Sequence, residues 1–551
     1  MTQTDLRPDI TRHLRQRLEA FRDGFRQNLA LIGPPGSGKT FQLHQLLANP
    51  PAHLVLLYCP LYRESCRSFL HRFASIILHA GVARASQASA SSPTEPLERQ
   101  GSSGHAGTLP LEALLDRVAA HLPNTAMALR PIEGLLARRL YSEALNRTLD
   151  AIPILSEERG QSSVLILDEF LFLEELGLGH AFHELGKRVM TWPATLFILS
   201  SSSPFRARAI LRERLQLLFG QFELITLETL EPRGTAAWVQ QELRGLRGAK
   251  TLSAFLVQWL GAYPWYLAVF LKRLRELATL RKTSELTEAL FFQTAWDVLG
   301  SSEGILHQWS LSRTDALTHD RQGARALEAV LHIATGGRTT TEIGKRMGRA
   351  DLSGALQLLV EHDLVERKGT CWFIPDPLLR CWLAAVLMAQ RSGAGLSAAA
   401  TRSRFEQYLA AAWAQWLQAS QLSFPERVAR LFSCFSDDTV SLDSKTGRLP
   451  RFQTVTTQRP SPQGGAVYLL AEGEGKRWCA SVQEGLVDEN AIARFDAFCR
   501  AQTLKPSRKV VITQAGVDAN GRLLAKANNM WVWTADDLEV LRELYGPVGV
   551  R

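Results

Sequence analysis

The chain lacks any run of about 18 or more apolar residues, so no transmembrane helix is expected. Its opening stretch, Met1 to Phe21, is polar and charged, without the apolar centre of a signal peptide. A cytoplasmic location is the expectation. The seven cysteines (Cys59, Cys66, Cys371, Cys381, Cys434, Cys479 and Cys499) form no C-x-x-C pair and match no zinc spacing. An odd number of thiols inside a cell points to reduced, mostly packed side chains. Wholesale disorder is excluded by a composition of 46% hydrophobic and 21% charged residues. A concentrated charge of one sign is missing as well. The net charge of +9 is spread over 551 residues, and favours a polyanionic partner only weakly.

What is present is length. At about 150 residues per domain the chain should hold three or four units, and one segment stands out. The apolar run Leu29-Ala30-Leu31-Ile32 leads into Gly33-Pro34-Pro35-Gly36-Ser37-Gly38-Lys39-Thr40, which fits G-x-x-x-x-G-K-[ST] in full. Phe41, Leu43, Leu46 and Leu47 then follow at helical spacing. Strand, glycine loop and helix together describe a phosphate cradle: small residues turn backbone N–H groups inward, and the helix N-terminus adds its dipole. Gly33 to Phe41 are therefore expected to bind ATP. Lys39 would reach the β- and γ-phosphates, and Thr40 would hold Mg2+.

The second element is Ser163-Val164-Leu165-Ile166-Leu167-Asp168-Glu169-Phe170, an apolar strand ending in two acids. Asp168 is expected in the Mg2+ shell, and Glu169 as the base that polarises water. Thr195 to Leu199 is the next apolar strand and ends in Ser200-Ser201-Ser202-Ser203-Pro204. Ser200 and Ser201 could sense the γ-phosphate, or the stretch is simply a serine-rich loop. Arg206, Arg208, Arg212 and Arg214 follow. They are arginine-finger candidates, in cis or from a neighbouring subunit, or else a solvated basic helix face. Phe222 to Leu227 is the final strand. Between the two motifs, His53–Tyr58 reads as a strand and Ser68–Ile77 as a helix. Ala83–Pro110, rich in Ser, Ala, Gly and Pro, reads as a flexible insertion. Helical periodicity runs from Leu111 to about Leu155, interrupted by Pro123 and Pro131.

The order of these pieces, closing on Leu230-Glu231-Pro232, resembles an AAA+ ATPase, and more narrowly the archaeal-type STAND and origin-recognition branch. Gly261-Ala262-Tyr263-Pro264-Trp265-Tyr266-Leu267 resembles that family's Gly-x-x-Pro-x-Tyr-Leu lid segment, although Gly261 and Pro264 could merely end one helix and start the next. Ala324–Leu383 is similar to the winged helix that the family carries after its lid. Its expected parts are helices Ala326–Thr335, Thr340–Met347 and Asp351–His362, then a hairpin turning at Arg367-Lys368-Gly369. Ser353, Gln357, Arg367 and Lys368 are the DNA-contact candidates. With Asp351 and Glu361 on the third helix, phosphate contact through the wing suits the residues better than base reading.

Leu396–Ser420 is expected as a helix. The region after about Phe424 resembles restriction-endonuclease folds, with strands Ala466–Ala471 and Trp478–Val482, helix Ala491–Phe498, strands Lys509–Thr513 and Trp531–Trp533, and helix Asp536–Leu544. That fold's nucleases need Glu-x-Lys on a strand. Here the strand reads Trp478-Cys479-Ala480-Ser481-Val482-Gln483-Glu484, and Glu474-Gly475-Lys476 lies in the turn before it. A non-catalytic domain is the expectation.

The combined expectation is an α/β P-loop NTPase core with a parallel sheet (residues 1–232), a helical lid (233–320), a winged helix (321–392) and a C-terminal α/β domain (393–551). The expected function is an ATP- and Mg2+-dependent switch that engages DNA and a protein partner or a second copy, away from membranes. Two rivals stay open: an ATP-driven oligomerising scaffold that touches no DNA, and an ATPase with an active C-terminal nuclease. A helicase-like motor ranks below both, because no helicase motif follows the Asp168-Glu169 strand.

Overall fold

The computed structural model describes residues 5–82, 110–178, 180–213, 221–347, 352–392, 398–442, 445–459 and 465–546. The chain divides into two compact units, Met1–Leu230 and Glu231–Arg551. Among the described residues no helix is long and apolar enough to cross a membrane.

The first unit is built on five strands: β1 (Asn28–Ile32), β2 (Leu54–Pro60), β3 (Ser162–Asp168), β4 (Thr195–Ser201) and β5 (Phe222–Thr226). All pair in parallel, in the order β2-β3-β4-β1-β5. β1 and β4 are buried along their whole length, which is why their sequences are apolar without alternation. Their side chains nonetheless alternate between two cores. Leu29, Leu31, Val164, Ile166, Leu196 and Ile198 face helices α1 (Pro8–Arg22) and α2 (Lys39–Ala48). Ala30, Ile32, Leu165, Leu167, Phe197 and Leu199 face the opposite layer, which begins with α3 (Cys66–Val82). This is a P-loop NTPase core. β4 stands between β1 and β3, so the chain reverses winding direction there, and a crevice forms at the carboxyl ends of the strands.

The periodic stretch after residue 110 is four helices: α4 (Leu111–Val118), α5 (Pro123–Leu129), α6 (Ile132–Ala137) and α7 (Tyr141–Arg159). Pro123 is the first residue of α5 and Pro131 the N-cap of α6. The prolines start helices rather than interrupt one, because their missing N–H falls where no intrahelical partner exists. The insertion expected at 83–110 lies, apart from Pro110, outside the described residues. α8 (Ala181–Thr191) and α9 (Pro204–Glu213) complete the layer.

The second unit opens with helices Pro232–Glu242, Ala249–Leu260, Pro264–Leu280, Glu288–Ala295 and Ile305–Asp315. Gly261 has φ +74, and a Cβ there would press on the Pro377 ring. Tyr266 donates to Asp376 Oδ2 at 2.7 Å, and Arg313 reaches the same oxygen at 3.0 Å. The Gly261–Leu267 segment is thus locked to the start of helix Pro377–Trp382, which follows the hairpin in sequence.

Helices Arg321–Ala334, Thr340–Met347 and Leu352–Glu361 precede an antiparallel hairpin of β6 (Glu366–Lys368) and β7 (Cys371–Phe373). The first helix begins five residues before the expected Ala326. Asp320 caps it by accepting from Gly323 N–H at 2.6 Å. Leu352, Ala355, Leu356 and Leu359 are buried, as their spacing required. The hairpin turns at Gly369-Thr370, one residue later than expected, because Gly369 takes the positive φ of +70. Arg367 and Lys368 are therefore strand residues.

Helix Ala398–Gln421 and helix Phe424–Phe432 lead to a hairpin that the sequence reading did not include, β8 (Asp438–Leu442) with β9 (Lys445–Leu449). A five-stranded sheet follows: β10 (Thr454–Gln458), β11 (Val467–Gly473), β12 (Lys476–Gln483), β13 (Arg508–Thr513) and β14 (Trp531–Trp533), in that spatial order. β10, β11 and β12 pair antiparallel, and β12, β13 and β14 pair in parallel across helices Glu489–Ala501 and Ala519–Ala527. The β11–β12 turn shrinks to Glu474-Gly475, both at positive φ. Helix Ala535–Tyr545 ends the described chain.

On that last helix, burial pushes the Glu543 carboxyl up to about 7, against the pull of Arg380 and Arg542. A folded pKa above the unfolded one means that the stabilising contribution is complete at acid pH and fades as pH rises through about 7. Glu543→Gln should flatten the decline in thermal stability between about pH 5 and 8, a difference of roughly 2 kcal/mol or less. Melting curves across that range test it, and an unchanged pH dependence would contradict the assignment.

Candidate nucleotide site

The loop Gly33–Gly38 joins β1 to α2, and its shape is set by what cannot fit there. A Cβ on Gly33 would collide with the Leu227 carbonyl oxygen, where the chain leaves β5. Leu227 N–H donates to Ile32 O at 2.7 Å and Gly33 N–H to Ser201 O at 3.3 Å, fixing the loop between its two neighbours. Gly36 and Gly38 have φ of +77 and +98, a region that favours glycine. Gly38 is the N-cap of α2, and no side chain caps that end. The first N–H groups of α2 thus face the loop as an anion cradle. The Ser37 hydroxyl inside it is fully buried and has no hydrogen-bond partner. A buried orphan beside uncapped N–H groups fits an anionic ligand such as a nucleotide phosphate.

Lys39, 3% exposed, donates from Nζ to Gly33 O at 2.9 Å and Pro34 O at 3.1 Å. Its ammonium therefore lies within the loop. Thr40 Oγ1 donates to Asp168 Oδ2 at 2.9 Å. Ser200 Oγ donates to Asp168 Oδ1 at 2.6 Å, and Tyr58 OH to Oδ2 at 2.9 Å. Asp168 is 3% exposed, so these hydroxyls replace the water that its charge would otherwise require. Burial, then the Asp168 charge, holds the Tyr58 phenol well above its ordinary pKa.

Glu169 begins the 3-10 turn Phe170–Glu174 in a left-handed conformation, φ +58. For a non-glycine residue this is strained. Its carboxylate accepts from Ser202 N–H at 2.9 Å and from the Ser202 hydroxyl. Burial raises its pKa, while the Lys39 charge and the Ser202 bonds pull it down. A carboxylate held by a third group is what a general base needs.

The remaining sequence candidates are placed as follows. Ser201 is buried, and its Oγ accepts from Ser203 N–H at 3.1 Å. Arg206 pairs with Glu174 at 2.6 Å on the turn after Glu169. Arg208 and Arg212 are exposed on α9, and Arg214 lies outside the described residues. In the second unit Ser353 and Gln357 are exposed on their helix, with Gln357 bonded to Glu361 at 3.1 Å. Arg367 is exposed, donates to Gly369 O at 2.9 Å, and lies over the Trp372 ring. Lys368 is half-buried. The hairpin turn is bonded to β8 while Thr370 stays exposed: Thr370 N–H donates to Thr439 O at 2.8 Å, and a Gly369 Cβ would collide with the same carbonyl. Glu484 lines a cavity of about 450 Å3 with Pro425, Gly465, Gln483, Gly485 and Leu486.

Sequence reasoning missed Tyr58 and Ser202. A tyrosine near the carboxyl end of an apolar strand was the available signal for the first. For Ser202, the serine run marked the loop but not the residue.

No protein-family model matches this chain, and no curated protein sequence does. Among solved structures it is similar to a Walker-type ATPase of Pyrococcus abyssi (16% identity, TM-score 0.47, 68% of this chain and 95% of that one). It is also similar to the ORC2 protein of Aeropyrum pernix in ADPNP and ADP complexes (15% identity, TM-score 0.42, 71% and 96%). A third is the Aeropyrum pernix ORC1 protein in complex with DNA (13% identity, TM-score 0.37, 70% and 94%). The sheet order and the loop geometry, not these likenesses, carry the fold assignment.

Gly33→Ala should destabilise the first unit by roughly 1–3 kcal/mol, since backbone must move to admit the methyl group, and should abolish nucleotide binding. Gly134→Ala, on an open helix face, should leave both intact. Melting and nucleotide titration of the two variants test this. Equal behaviour of the two variants would remove the role assigned to Gly33.

Proposed function

We propose that this chain is an ATP-binding and ATP-hydrolysing switch, with Mg2+ as cofactor, whose nucleotide state governs engagement of DNA or a DNA-associated complex. One observation carries the reading: the loop lysine, the helix-start threonine, and Asp168 and Glu169 at and just past the end of β3 meet at one crevice, with a phosphate-shaped loop beside them. Gly33–Phe41 would hold ATP. Lys39 would exchange the Gly33 and Pro34 carbonyls for phosphate oxygens. Thr40 and Asp168 would hold Mg2+, which when bound supplies charge neutralisation to the phosphates. Glu169, oriented by Ser202, would take a proton from the attacking water, while Ser200 keeps Asp168 in place. Arg206 is engaged with Glu174 and serves the turn that carries Glu169. Arg208 and Arg212 remain the exposed finger candidates.

Under the AAA+/STAND reading, residues 1–232 are the ATPase core, 233–320 the lid, 321–392 a winged helix and 393–551 a helical connector with a nuclease-like domain that lacks its strand-borne Glu-x-Lys. The strand succession β10 to β13 with its crossover helix supports that last reading. The DNA candidates are Arg367 and Lys368 on β6, with Arg367 the more exposed, and Ser353 and Gln357 on the preceding helix. A self-assembling scaffold without DNA contact remains the second reading, favoured by the engagement of the hairpin turn with β8.

Lys39→Ala should lower ATP affinity by a hundredfold or so, the loss of a charge-assisted contact to phosphate. Glu169→Gln should bind ATP normally and lose turnover by about 10²–10⁴. Unchanged binding in the first, or persisting turnover in the second, would remove the assigned roles. For DNA, binding should weaken steeply with salt, and Arg367→Ala should lower the salt slope by about one unit. A filter-binding series that shows no DNA retention at low salt would select the scaffold reading.

A further inference from the structure

Three hydroxyls converge on Asp168, and two of them have a role in the reading above. Thr40 belongs to the nucleotide loop, and Ser200 to the serine-ended strand. Tyr58 has none. It comes from β2, on the far side of β3 from the loop, yet its OH donates to the same oxygen, Oδ2, that Thr40 uses. Among the described residues, Ser200 alone serves Oδ1. The Tyr58 side chain is anchored on both sides. β2 pairs with β3 residue for residue from Leu54↔Ser162 to Pro60↔Asp168. Its ring meets the His44 ring of α2 edge-on, with centroids 5.2 Å apart. Tyr58 thus touches both elements that must be in register for the site to work: α2, which carries Thr40, and the acidic end of β3.

We infer that Tyr58 is a positioning residue for Mg2+, orienting the Oδ2 side of Asp168 so that the carboxylate and Thr40 face the cation together. This rests on the nucleotide reading of the site. The physical reason is the scarcity of water. A carboxylate 3% exposed keeps its orientation only through protein donors. Thr40 can coordinate the cation through a lone pair while its O–H stays on Oδ2, and Tyr58 is the second donor that fixes that oxygen from the β2 side. Its phenol, with two rotatable bonds, is also costlier to displace than a serine or a mobile water.

The test is the Mg2+ dependence of binding, not turnover. Wild type and Tyr58→Phe are titrated with a nonhydrolysable ATP analogue, in EDTA and across a Mg2+ series. Affinity in EDTA should be the same for both within about twofold. The Mg2+ concentration giving half of the cation-dependent gain in affinity should rise roughly three- to tenfold in Tyr58→Phe, the range expected from one lost hydrogen bond. Tyr58→His, which returns a donor at shorter reach, should fall between the two. An unchanged or lower Mg2+ requirement overturns the proposal. So does an equal loss of affinity in EDTA, which would make Tyr58 part of the general packing. If wild type fails to bind the analogue in either condition, the nucleotide reading itself falls and takes this inference with it. That outcome is separate from a Tyr58-specific failure.

Discussion

A carboxylate buried at the end of a strand is costly unless every lone pair finds a donor. Asp168 meets this constraint with hydroxyls from three different elements: Thr40 of α2, Tyr58 of β2 and Ser200 of β4. The rest of the first unit is arranged to make that convergence possible. The strand order places β4 and β2 on either side of β3. The α2 helix starts where Gly38 ends the loop, so that Thr40 projects to the same point. Apolar layers on both faces of the sheet exclude water. That exclusion makes the donors necessary, and makes small displacements among them consequential.

Glu169 illustrates the same economy. Its left-handed backbone is strained, and the strain is held by the turn behind it. Arg206 pairs with Glu174, and Arg63 with Glu175 at 3.0 Å, so charges on two other segments grip the short helix that follows the acid. Ser202 then holds the carboxylate itself.

The second unit shows a different constraint. Its Gly261–Leu267 segment and its hairpin are each pinned by contacts from elsewhere in that unit. Asp376 gathers Tyr266, Arg313 and the Leu379 N–H, and Thr439 of β8 bonds the Gly369-Thr370 turn. Both contacts join parts far apart in sequence, so these modules do not behave as beads on a string.

Sequence alone determined the parts whose chemistry is local. The loop Gly33–Thr40, the strand ending in Asp168-Glu169 and the serine-ended strand can be read off the chain, because phosphate binding and strand burial impose spacing on consecutive residues. Element order through the core and the Trp531–Trp533 strand were legible for the same reason. Where a proline or a glycine sits at an element's edge, boundaries drifted: Pro123 and Pro131 start helices, and Gly369 shifts a turn by one residue. β8, β9 and β10 escaped because polar edge strands carry little apolar pattern. The contacts of Tyr58, Ser202 and Arg206 were decided only by tertiary structure. Each depends on which strand lies beside which, and a partner more than 30 residues away in sequence leaves no trace in local spacing.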